Sequence, residues 1–146
     1  MDVQAYVACT TKNSESARRS LPETSNQSFN CSESIQMKVI HLAIATNEIE
    51  KSVRDYTERL GVEQSIVVPD EYALWRTEQI NLSIRQDASC NPGELRHLGF
   101  EDSNAKAFTA SKDVNGILWE SFNAEQQAEE INKAWPNANY QPSEAG

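Results

Sequence analysis

The chain repeats itself. Ile40-His41-Leu42-Ala43-Ile44-Ala45-Thr46 is echoed by Leu95-Arg96-His97-Leu98-Gly99-Phe100-Glu101-Asp102, with His97 56 positions after His41. A repeat of this length asks for two copies of one supersecondary unit that share a core. The first copy opens on an extended run. Val39, His41, Ala43 and Ala45 lie on one face and Ile40, Leu42 and Ile44 on the other, so both faces suit burial.

A helix is predicted next. Asn47 reads as its N-cap, with Glu50 completing a capping box. Ile49, Val53, Tyr56 and Leu60 form one apolar stripe, and Gly61 stops the helix. Strands are expected over 63–68, 72–77 and 80–85, with turns at Pro69-Asp70 and Glu78-Gln79. The first copy, 37–86, is therefore β-α-β-β-β.

After a linker over 87–93 the second copy, 94–122, is shorter. Ser103 reads as the cap of a short helix through Ala105 and Phe108. Asn115-Gly116 is a hairpin signal that launches a strand over 117–122. Asn123 caps a last helix, 123–135, with Ala128, Ile131 and Trp135 on one face and Pro136 ending it. Residues 137–146 read as a frayed tail. The expected fold class is α+β: one β-α-β-β-β module, a shortened second module with a single strand after its helix, and a C-terminal helix. The missing strands would leave Leu118 and Phe122 exposed, which points to a homodimer that covers them.

Residues 1–36 hold seven Ser, three Thr and three Asn and little apolar periodicity, so they read as a disordered polar leader. The chain carries a net charge of −9 and has no basic run longer than Arg18-Arg19. Neither nucleic acid nor an anionic membrane surface suits such a distribution. No stretch reaches the roughly 18 apolar residues of a membrane span, and no signal-peptide pattern opens the chain. Cys9, Cys31 and Cys90 form no C-x-x-C pair and read as free thiols of a reducing cytoplasm.

The two histidines are the whole histidine content of the chain. Random placement would rarely put both at matching positions of a repeat. Imidazoles on related strands can converge on one divalent ion. Glu120 is the third candidate. Alternation sets it between Leu118 and Phe122, where burial is costly unless the carboxylate is paired or metal-bound. Tyr72 and Trp75 are weaker candidates for lining a pocket, and Trp119 and Trp135 read as packing anchors.

These residues resemble the vicinal oxygen chelate superfamily, which includes glyoxalase I, bleomycin-resistance proteins and extradiol dioxygenases. The resemblance rests on the β-α-β-β-β repeat, the Ile40-His41-Leu42-Ala43-Ile44 opening and the Asp113-Val-Asn-Gly-Ile-Leu-Trp-Glu120 ending. Pro69-Asp-Glu-Tyr-Ala-Leu-Trp-Arg, Ile80-Asn-Leu-Ser-Ile, Gly93-Glu-Leu-Arg-His-Leu-Gly-Phe and Trp119-Glu-Ser-Phe are most similar to its cadmium-induced and organoarsenical lyase branch. It implies metal ligands at His41, His97 and Glu120, with Ser83 at the place of a fourth. Two imidazoles and one carboxylate form the facial triad that suits Fe(II), with Mn, Ni or Zn also open. The vicinal cysteine pair of the lyases is absent, so arsenic specificity is not implied.

The function expected is metal-dependent cleavage of a small oxygen-chelating substrate, by a dioxygenase or lyase with Glu120 at the reacting centre. The alternative is a non-catalytic, ligand-sequestering protein of the same fold.

Overall fold

Strict alternation in the first strand sets up a sheet with two buried faces. The computed structural model describes residues 38–143. The leader, its boundary at Met37, Cys9 and Cys31 lie outside that range. The elements run β1 (Val39–Thr46), α1 (Ile49–Leu60), β2 (Ile66–Val68), β3 (Tyr72–Arg76), β4 (Ile80–Gln86), β5 (Leu95–Glu101), β6 (Thr109–Lys112), β7 (Leu118–Phe122) and α2 (Ala124–Ala134). The class is α+β. The described strands form one mixed sheet in the order β2-β3-β4-β1-β5-β7-β6. β1 pairs parallel with β4 and antiparallel with β5, and β5 pairs parallel with β7.

One face of this sheet is dry. Ala73, Trp75, Leu82 and Ile84 pack there against Ile49 and the α1 stripe of Val53, Tyr56 and Leu60. The Trp75 indole is fully buried, and truncating such a side chain costs about 3–5 kcal/mol. On the other face Tyr72 and Leu74 meet Ala128 and Ile131 of α2. Because β3 contributes to both faces, its run Tyr-Ala-Leu-Trp is buried throughout.

Several local expectations hold. Gly61 takes a positive φ of 67° and ends α1, and Asn123 caps α2 in a reciprocal box with Gln126. Gly116, at φ 79°, turns β6 into β7.

Others need correction. The N-cap of α1 is Glu48, not Asn47, and its side chain makes no capping bond. The free amides are met from elsewhere: Gln86 Oε1 accepts from Ile49 N at 3.1 Å and Thr46 Oγ1 from Glu48 N at 3.1 Å. A partner brought in by the fold displaced the local one. No helix starts at Ser103. Asp102 Oδ1 accepts from Asn104 N in a turn, and the chain continues into β6, an exposed strand on the edge of β7. The second copy is thus less short than its sequence implies. Phe122 is 1% exposed, with Phe108 stacked 5.8 Å from it, so the expected uncovered apolar face is smaller. Nor is the segment after α2 frayed through Tyr140. That ring is buried, and Asn132 clamps the backbone of Tyr140 through both its amide and its carbonyl. Among the described residues no helix is long and apolar enough to cross a membrane.

Candidate metal centre

Register places the chemistry. On β1, His41 and Ala43 point away from α1, and β5 sets His97 directly opposite Ala43. Beyond β5, Gly99 sits opposite Glu120 of β7. The three side chains therefore meet on the face that α2 partly covers.

Gly99 is needed there for space. A Cβ built on it would lie 2.6 Å from the Glu120 carbonyl oxygen, closer than side chains approach backbone. Only glycine lets β7 come near enough to carry Glu120 to the histidines.

His97 Nε2 lies 3.1 Å from His41 Nε2 and 3.2 Å from Glu120 Oε2. The ligand atoms of all three residues fall within 4.8 Å of one another. His41 is 3% exposed, while His97 and Glu120 are half-buried and open to a cavity.

The tautomer of His41 follows from its surroundings. Its Nδ1 faces two oxygens of Asn81, Oδ1 at 2.8 Å and the backbone carbonyl at 3.1 Å. The orientation of that amide is fixed in turn: Asn81 Nδ2 donates to Glu101 Oε2 and to Gln127 Oε1, each at 2.8 Å. Arg76 grips the Glu101 carboxylate with Nε and Nη2. Both groups facing Nδ1 are acceptors, so Nδ1 carries the proton and Nε2 turns a lone pair towards His97. Metal-binding histidines are held in this way by partners behind them.

In the protein alone one proton satisfies the cluster. His97 Nε2–H can be shared between the His41 lone pair and the Glu120 carboxylate. Burial lowers the proton affinity of both imidazoles, and for His97 the neighbouring His41 and Arg96 push it down further, to about 4. At neutral pH both rings are uncharged and able to bind a cation. Burial raises Glu120 above the usual carboxylate range, and Arg96 offsets part of that.

The donor set fits a divalent ion. Donors about 2.1 Å from an ion and at right angles to each other stand about 3.0 Å apart, close to the two separations observed. Two imidazoles and a carboxylate, without a thiolate, suit a mid-row metal. The buried His41, His97 and Glu120 group could hold such an ion.

The adjoining cavity has a volume of about 320 Å³. Tyr72 and Ser83 line it, and Tyr72 stacks 4.7 Å from Trp135. Ser83 pairs with Ala43 just as Glu120 pairs with Gly99, so Ser83 holds the place in the first copy that Glu120 holds in the second. Trp75 does not line the cavity. It lies three residues from Tyr72, hence on the opposite face, where it packs on Tyr56 and donates to Thr57 Oγ1 at 3.3 Å. Cys90 is a half-buried free thiol in the linker.

Asn81, Glu101, Arg76, Gln127, Gly99 and Arg96 were not singled out from the sequence. For Asn81 a signal existed: Asn81 and Ser83 alternate with Ile80, Leu82 and Ile84, which marks a polar face on an otherwise apolar strand. No known protein-family model matches the chain, and no curated protein is significantly similar to it.

Proposed function

We propose that this protein is a small metalloenzyme of the vicinal oxygen chelate kind. His41, His97 and Glu120 hold one divalent ion, with Fe(II) favoured and Mn, Ni or Zn as alternatives. The observation that carries the reading is the approach of three ligand atoms from β1, β5 and β7, with the His41 lone pair oriented by Asn81. The ion would supply Lewis acidity and open positions for a bidentate oxygen substrate and for O₂. The chain does the rest. Asn81, held by Glu101 and Gln127, keeps the His41 ring in the ligating tautomer. Glu120 would offset cationic charge, and ligation through His97 Nε2 would require its ring proton to sit on Nδ1 instead. Tyr72, Trp135 and Phe108 keep the cavity walls apolar beside the reacting centre. The reaction class is oxidative cleavage of a ring or bond in a small oxygen-chelating molecule. The β1-α1-β2-β3-β4 order read as one module, and β5 to β7 as a reduced second one, agrees with that kind of protein. This reading also takes the protein as cytoplasmic and homodimeric, and sedimentation over a wide concentration range tests the dimer.

One observation favours the ligand-binding alternative. A single proton already satisfies the three side chains, so the cluster is stable without a cation. Metal analysis of tag-free protein, then Fe(II) reconstitution and an O₂-uptake screen, decides between the two. One ion per chain and substrate-dependent O₂ uptake are expected. Absence of metal uptake leaves only the sequestering protein.

A further inference from the structure

β5 contains a bulge at the cavity. Consecutive residues of β1, Ala43 and Ile44, pair with His97 and Leu95, so Arg96 has no partner on β1. Regular alternation would aim Arg96 opposite to His97, into the apolar side under α1. The bulge instead lets both residues line the cavity. Bulges serve to re-aim one side chain, and this one brings a guanidinium to the triad.

Across β1, Arg85 of β4 lines the same cavity, and its guanidinium lies 5.4 Å from the Trp135 ring centre. Between the two arginines β1 presents only the small side chains of Ala43 and Ala45. Arg96 is half-buried and Arg85 exposed, and among the described residues neither arginine makes an ion pair. Glu130, the other acid on the cavity, is exposed and pairs with Lys133 at 3.7 Å. In a chain with 22 acidic and 13 basic residues, two arginines on one cavity without an ion-paired carboxylate, Arg96 acting on Glu120 only through space, make that end of the cavity suited to an anion.

We propose that Arg96, with Arg85 across β1, anchors a carboxylate of the substrate. The substrate class is then a small aromatic carboxylate whose far oxygen pair reaches His41, His97 and Glu120. Trp135, Phe108 and Leu118 supply the apolar wall for its ring. The volume of about 320 Å³ lies at the lower end of the range for ligand cavities and suits a single ring. This inference rests on the metalloenzyme reading for the oxygen pair but not for the carboxylate.

The test follows tryptophan fluorescence of the full chain with benzoate and benzamide, first metal-free. Benzoate is expected to bind about tenfold or more tightly than benzamide, the usual effect of a charge-assisted contact. Arg96→Gln should abolish that preference and Arg96→Lys should keep part of it, with thermal unfolding checking each fold. Equal binding of the two probes by the wild type, or an unchanged preference in Arg96→Gln, overturns the anchor. If Arg96→Gln does not fold, the wild-type comparison and Arg96→Lys decide alone: equal binding of the probes by the wild type, or an undiminished preference in Arg96→Lys, overturns it. Zn-loaded protein is then compared with 3,4-dihydroxybenzoate and benzoate. Zn should tighten the first and not the second. Failure of that step contradicts the metal reading, while the benzoate preference still decides the anchor.

Discussion

The two faces of the sheet use the same strands for opposite purposes. Under α1, Trp75, Leu82 and Ile84 close an apolar core against Ile49 and the helix stripe. Under α2 the intervening strand residues His41, Asn81, Ser83 and Glu101, with Gln127 of the helix, are also buried, yet each is hydrogen-bonded and the triad opens to a cavity. No buried side-chain N or O among the described residues lacks a partner. The contrast shows how period-two alternation divides labour. One parity of each strand supplies the hydrophobic driving force, and the other can hold polar groups that would be costly alone. Stability should therefore reside on the first face and metal binding on the second.

Substitutions can break that division. Trp75→Ala should have the largest effect on stability, about 3–5 kcal/mol, because it opens a void in the dry core. Metal affinity of the remaining folded protein should stay unchanged, as read by denaturant titration with parallel metal titration. A large fall in affinity would show that the faces are coupled.

Gly99→Ala comes next. Its new methyl meets the Glu120 carbonyl, so β7 must shift at a cost of about 1–3 kcal/mol. Unlike Trp75→Ala, it should also weaken metal binding by displacing Glu120. Retained affinity would mean that the carboxylate is not a ligand.

Asn81→Leu acts from behind the site. Removing the nearer of the two acceptors of the His41 Nδ1 proton, while the backbone carbonyl at 3.1 Å remains, should lower metal affinity about 10-fold, the lower end of the range for such supporting partners. It leaves Glu101 with Arg76 as a remaining partner. Unaltered affinity would show that the tautomer is set by other means.

The smallest effect is that of pH on the metal-free protein. The folded state binds protons at His97 and His41 less readily than the unfolded chain, whose histidines titrate near 6.5. Between pH 6.5 and about 4 the unfolded state therefore holds more protons, and stability should fall as pH falls through that window. Raised proton affinity at Glu120 works in the opposite sense and blunts the fall at its lower end. Thermal unfolding across the window should show the decline in wild type and a flatter profile in His97→Gln. Identical profiles would remove the two histidines as the cause.

What the sequence made legible was local. The alternation of β1, the apolar stripe of α1, the Asn115-Gly116 turn and the Asn123 cap are short-range signals, and the fold kept them. β6 was not legible, because Thr109-Ala-Ser-Lys has no buried face and owes its extended form to pairing with β7. The cap of α1 was misplaced because Gln86, 37 residues away from Ile49, satisfies the helix amide. In the site, the repeat brought His41 and His97 into view and alternation added Glu120. The network behind them was hidden, since Arg76, Asn81 and Glu101 meet only through β3, β4 and β5. A bulge such as that at Arg96 leaves no mark in the residue pattern at all.

X-ray absorption on Zn- or Fe(II)-loaded protein tests the central claim most directly. Two imidazoles and a carboxylate oxygen at about 2.0–2.2 Å are expected around one ion per chain. Imidazole scattering should halve in His97→Gln, and the carboxylate contribution should drop in Glu120→Gln. A metal bound without imidazole scattering, or bound unchanged in both variants, would contradict a shared site at His41, His97 and Glu120.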